Sequence, residues 1–213
     1  MKPNAIVALL FLLVIPFFAA CGEDDNEQSE FADWQKKNEA YWEDLYSATK
    51  QKVSAGDNSW KIIPTWSKNS NGSLKSTDYI IAHVVSQGTG TVSPLYTDTV
   101  RVHYLGRLIP SATYSEGFVF DQSYTGEFNP KTSLPYKAAA AGFIDGFITA
   151  VTNMHVGDRW MVYIPYQLGY GAAGSGTAIP GYSVTIFDVS LAAFYHPGAA
   201  VPKWEAKPFA FFE

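Results

Sequence analysis

The sequence predicts an α+β fold in which many strands surround one short internal helix. Three observations carry that expectation. Runs rich in Val, Ile, Tyr and Thr recur between clusters of turn residues from Tyr79 onward. Helical periodicity appears at only two places, residues 30–53 and Phe143 to Met154. Strands and helices do not alternate as they would in a doubly wound sheet, and no fixed-period repeat runs through the chain.

The elements follow in chain order. Lys2 gives a short positive start, and Ile6 to Ala20 is an almost unbroken apolar run interrupted by Pro16. That run is too short to cross a bilayer comfortably and reads as a signal peptide over residues 1–20. Phe18-Ala19-Ala20 stands directly before Cys21, the single cysteine of the chain. The arrangement resembles a lipobox, with Phe18 where leucine is usual, and implies lipidation of Cys21. Fatty chains there would bind the membrane through buried methylenes rather than through a spanning helix. Gly22 is not the aspartate of an inner-membrane retention signal, so the expected location is the cell envelope, as an outer-membrane lipoprotein. Residues 21–29 read as a lipidated acidic tether. Its Glu23, Asp24, Asp25 and Glu27 fit equally a plain solvated linker and a surface-export signal.

An N-terminal extension of helix and strand occupies residues 30–78. Phe31, Trp34, Tyr41, Trp42, Leu45 and Tyr46 recur at helical spacings with Lys and Glu between them. Gly56 lies just past the last turn, where glycine ends helices. The aromatic stripe is expected to pack on the chain's own domain. Trp60 to Trp66 reads as an edge strand, because Pro64 has no N–H to give to a neighbour. A polar loop with an Asn71-Gly72 turn follows. Tyr79 to Ser86, Thr97 to Leu108, Asp158 to Pro165 and Val184 to Phe194 are the remaining strand candidates.

Composition narrows the function. With 47% apolar and 15% aromatic residues the chain can bury a substantial core. The net charge of −5 comes with no basic stripe, so nucleic acid is not an expected partner. Gly169-Tyr170-Gly171-Ala172-Ala173-Gly174 spells a dinucleotide fingerprint, but it follows Pro165 and leads into a stretch that opens no helix. His83, His103, His155 and His196 are scattered, and His83 and His103 sit inside strand patterns. No serine has a nucleophile-elbow context, and no tight carboxylate pair stands out. Neither metal nor cofactor is expected.

One ordered series of motifs is specific. Val100-Arg101-Val102-His103-Tyr104-Leu105-Gly106 precedes Phe120-Asp121-Gln122-Ser123, then Phe143-Ile144-Asp145-Gly146-Phe147 and Val156-Gly157-Asp158. Ile164-Pro165, Tyr170-Gly171, Ile179-Pro180 and Ile186-Phe187-Asp188-Val189 complete it. In this order the motifs resemble the FKBP-type peptidyl-prolyl cis-trans isomerases, over residues 79–195. The resemblance implies an FKBP-like antiparallel half-barrel sheet wrapped around one short helix beginning near Ile144, here with an N-terminal helical extension. It assigns catalytic positions to Tyr104, Asp121, Ile144 and Tyr170, and substrate-binding positions to Phe120, Phe143, Phe147, Ile179 and Phe187. Leu134 and Tyr136 lie where further pocket aromatics belong, but at different spacing. The implied partners are proline-containing polypeptide clients.

The sequence also departs from the family pattern. Phe147 stands where the pocket floor is usually tryptophan, and Ala178 and Gly181 trim the Ile179-Pro180 flap, which suggests a smaller, more flexible rim. Pro110 to Glu116 is an insertion, and the tail, residues 196–213, ends in Phe209-Ala210-Phe211-Phe212. Two functions fit: an isomerase that assists folding of exported proteins, or a weakly active or inactive FKBP-like module that holds proline-containing segments or envelope partners.

Overall fold

The computed structural model describes residues 30–68 and 72–205. The expected signal peptide, Cys21 with its tether, Asn71 and the Phe209–Phe212 tail lie outside the described residues.

Helix α1 spans Trp34–Ser54 and is entered through a turn in which Asp33 adopts φ 54°. It ends as a glycine permits. Gly56, at φ 86°, donates to the Val53 carbonyl, and the Asp57 N–H donates to that of Lys52, both at 3.0 Å. The strands are β1 (Trp60–Pro64), β2 (Tyr79–Ser86), β3 (Thr99–Leu108), β4 (Val119–Gln122), β5 (Tyr136–Ala139), β6 (Arg159–Ile164) and β7 (Thr185–Tyr195). A second helix, α2, spans Asp145–Val151. It is shorter than the apolar pattern suggests, because Phe143 and Ile144 are extended and Thr152 already closes the helix.

All strand pairs are antiparallel, in the order β1-β2-β6-β7-β3-β4, with β5 also on β3. β1 occupies an edge of the sheet, as Pro64 requires. β3 and β7 pair along their whole length, from Thr99↔Tyr195 to Leu108↔Thr185, with one bulge at Arg101/Val102. β4 and β5 are four-residue strands that the sequence pattern did not reveal.

The two-residue period of each strand separates two cores. On the inner face, Ile80, Val102, Val162, Val189 and Leu191 pack against Phe147, Ala150 and Val151 of α2. Gly146 brings α2 close, since a Cβ there would lie 2.3 Å from Ile164 Cγ2. On the outer face, Ile81, Leu108, Val184 and Ile186 pack against Trp34 and Trp42 of α1. The aromatic stripe of α1 therefore faces its own sheet.

Candidate active site

Every wall of the site comes from an element placed by those packing constraints. β3 supplies Tyr104, β4 supplies Asp121, the start of α2 supplies Phe143, Ile144 and Phe147, and β7 supplies Phe187. Tyr170 reaches the site from the loop after β6. Together with Tyr136, Ala138 and Gly142 they enclose a cavity of about 260 Å³. Seven of the nine positions marked in the sequence thus meet at one cavity.

Two do not line it. Phe120 stands behind the wall, its ring 5.5 Å from Phe187 and 6.2 Å from Tyr170. Ile179 is only 6% exposed and is buried in the outer cluster with Trp34 and Trp42. Motif order carries no information about which way a loop residue turns. Conversely, Tyr136, whose spacing was irregular, is a wall residue, with its ring 5.9 Å from Tyr104 and 6.2 Å from Phe143. Leu134 is 66% exposed and stands apart. Ala138 and Gly142 gave no sequence signal, because small residues mark a wall only by what they leave open.

The aromatic lining is a connected set. Phe143 stacks on Phe147 at 4.5 Å, and Phe147 meets Phe187 edge-on at 5.3 Å and Tyr104 at 6.0 Å. Gly106 makes this possible: a Cβ there would lie 2.6 Å from the Phe120 ring and 2.7 Å from that of Phe187. Phe147 is 2% exposed, so its ring is almost wholly buried at the base of the cavity.

The polar groups sit to one side. The Tyr104 hydroxyl donates to Asp121 Oδ2 at 2.7 Å. Burial, then this hydrogen bond and the carboxylate's charge, raise the Tyr104 pKa well above the phenol value, so the hydroxyl keeps its proton. Burial and the Asp121 charge likewise raise that of Tyr170, which remains a neutral donor. Ile144 precedes α2, and its carbonyl accepts from Phe147 and Ile148 at 2.9 and 3.0 Å. Among the described residues no acceptor meets the Ile144 N–H. No Ser, Cys, His or Lys lines the cavity. What the lining offers is an aromatic surface with hydrogen-bonding groups, Tyr104, Asp121 and Tyr170, along one side.

The rim is tighter than the small residues Ala178 and Gly181 suggested. A Cβ at Gly181 would lie 2.0 Å from the Ala172 carbonyl oxygen, so this glycine allows close backbone packing. Ser175 and Ile179 exchange backbone hydrogen bonds at 2.9 and 3.2 Å.

Comparison with known proteins agrees with this geometry. A family model described as FKBP-type peptidyl-prolyl cis-trans isomerase matches residues 90–192. The chain is 42% identical over 109 residues to the FKBP-type 22 kDa peptidyl-prolyl cis-trans isomerase of Escherichia coli (strain K12), covering 51% of this chain and 46% of that protein. It is 36% identical over 101 residues to FK506-binding protein 2 of Dictyostelium discoideum, covering 47% of this chain and 68% of that one. The crystal structure of FkpA from Escherichia coli superposes with a TM-score of 0.52 at 29% identity, over 78% of this chain and 63% of the other. The chain spans about half the length of the bacterial relatives it matches. With the ordered motifs, the antiparallel sheet around α2 and the aromatic cavity at its end, the chain belongs to the FKBP-type peptidyl-prolyl cis-trans isomerase family.

Proposed function

We propose that the chain accelerates cis-trans isomerisation of X–Pro bonds in exported polypeptides. The observation that carries this reading is the aromatic cavity with its buried Phe147 floor and donors along one side. Rotation about the X–Pro bond faces a barrier of about 18–20 kcal/mol because the twisted amide loses its resonance. Acceleration needs no nucleophile, only a site that holds the twisted form better than either planar isomer. Phe147, Phe143 and Phe187 would receive the pyrrolidine ring. The Ile144 N–H and the Tyr170 hydroxyl would donate to substrate carbonyls, and Asp121 would orient Tyr104 and the polar side of the cavity.

The test is an isomerisation assay on peptides with varied residues before proline, comparing the wild-type chain with Asp121→Ala and Tyr170→Phe. We expect measurable acceleration that both substitutions reduce. Rates equal to the uncatalysed control across the panel would instead support the second reading, a module that binds proline-containing segments without turnover. The specific observation favouring that second reading is Phe147 itself, a smaller floor than tryptophan and already stacked on one side by Phe143.

The envelope location belongs to the same proposal. Lipidation at Cys21 would anchor the chain to the outer membrane, with residues 22–29 as the tether. Among the described residues no helix is long and apolar enough to cross a membrane. Cys21→Ala should release the protein from the membrane fraction; continued association would refute the lipid anchor.

A further inference from the structure

We infer that helix α1 is a brace for the rim that carries Tyr170, and that Trp34, Asn38 and Ser183 are positioning residues for that rim. This rests on the isomerase reading of the cavity. The buried residues of α1 are Trp34, Asn38, Trp42 and Thr49, and two polar groups among them, the Trp34 indole and the Asn38 amide, bond across to the loop between β6 and β7. Trp34 Nε1 donates to Ser183 Oγ at 2.8 Å, and Ser183 Oγ donates to the Pro180 carbonyl at 2.6 Å. One turn on, Asn38 Oδ1 accepts from the Val184 N–H at 2.8 Å while Asn38 Nδ2 donates to the Trp34 carbonyl at 2.7 Å. Trp34 is 6% exposed and Asn38 is fully buried. A buried amide costs stability unless every bond is made, and a Leu would pack as well on a purely structural face. Trp42 on the same face illustrates the alternative, since its Nε1 has no partner among the described residues.

The relay leads toward the cavity. Tyr182, next to Ser183, is held at φ 64° and donates its N–H to the Gly171 carbonyl at 3.0 Å. Gly171 in turn donates to the Tyr166 carbonyl at 2.8 Å, and Tyr170 lies directly before it. A left-handed tyrosine is strained and persists only where its surroundings over-determine it. The bonds from α1 supply that determination. Tyr170 also packs against both the inner and the outer cluster, so a shift of the outer one reaches the cavity wall.

The test compares Trp34→Phe, Asn38→Leu and Ser183→Ala in the full chain, with Arg159→Lys as a control. Arg159 donates to both Asp188 carboxylate oxygens at 2.9 and 2.6 Å, away from the rim. We expect Trp34→Phe, Asn38→Leu and Ser183→Ala each to lower kcat/KM about tenfold, the size of effect a small misplacement of a positioned group produces. The control should keep its activity. In a Tyr170→Phe background the same substitutions should cost almost nothing more, because their effect passes through that hydroxyl. With an active wild-type chain, equal losses in both backgrounds, or no loss in either, would overturn the proposal. Amide exchange separates its failure from that of the isomerase reading. Faster exchange over residues 171–184, with β3 and β7 unchanged, supports the brace even if the wild-type chain proves inactive. Unchanged exchange refutes it.

Discussion

The two faces of the sheet are covered by different means. On the inner face, seven-residue α2 presses a few aromatic and aliphatic side chains into a cluster that is almost wholly apolar, and it leaves a cavity open at one end. On the outer face, 21-residue α1 brings large aromatics together with an indole and an amide that bond to a distant loop. Further along that face the cover is thinner. His103 lies under Phe128, with ring centroids 5.1 Å apart, and near Trp204 of the C-terminal segment at 6.3 Å. Arg101 donates to the Pro202 carbonyl there. An apolar contact holds a short helix at any orientation that fills space, whereas a buried hydrogen bond specifies one loop conformation. The inner face makes a pocket; the outer face fixes its shape.

The first way to break this comparison is to ask whether α1 belongs to the cooperative core at all. Trp42 is 2% exposed, and Trp42→Ala should cost about 3–5 kcal/mol in urea unfolding, as large core truncations do. A loss below about 1 kcal/mol would make α1 an appendage, well short of the core range. Next in size is the titration of His103. Burial lowers its pKa from 6.5 to about 4, and neither ring nitrogen has a partner among the described residues. The folded chain therefore holds a neutral imidazole where the unfolded chain takes up a proton. Stability present at pH 7 should fall as the pH drops from about 6.5 toward 4, by up to about 3 kcal/mol. His103→Phe should flatten that part of the curve in unfolding measured across pH.

Legibility in the sequence followed the same division. The inner face was readable because its residues sit in short motifs whose order along the chain is specific: Tyr104, Asp121, Phe143, Ile144, Phe147 and Phe187 all reach the cavity. The strands β4 and β5 were not, because four mostly exposed residues are too few to display an alternation. That Ile179 packs in one cluster with Trp34 is decided by the folded loop and not by motif order. The Trp34–Ser183 bond joins residues 149 positions apart, and no local pattern announces it.

Smaller effects sharpen the picture. Tyr104→Phe removes the donor to Asp121 and should reduce kcat/KM about tenfold with little change in unfolding, roughly the worth of one charge-assisted hydrogen bond. A loss seen equally in stability would place this bond in the scaffold instead. Least of all, Lys52 lies 3.9 Å over the Trp60 ring at the outer edge, and Lys52→Ala should cost about 0.5–1 kcal/mol in thermal unfolding. A larger figure would mean that the far end of α1 also bears on the sheet's integrity.

The place of β7 has a consequence for how the chain is made. This last strand, Thr185–Tyr195, lies between β6 and β3. Without it no strand pairing joins β1, β2 and β6 to β3, β4 and β5. A nascent chain that has emerged only as far as residue 184 thus holds two half-sheets with unsatisfied edges and no assembled cavity. Assembly waits for the final strand to thread between them, a long-range pairing of the kind that folds slowly. The topology thus delays closure of the sheet until almost all of the described chain is available.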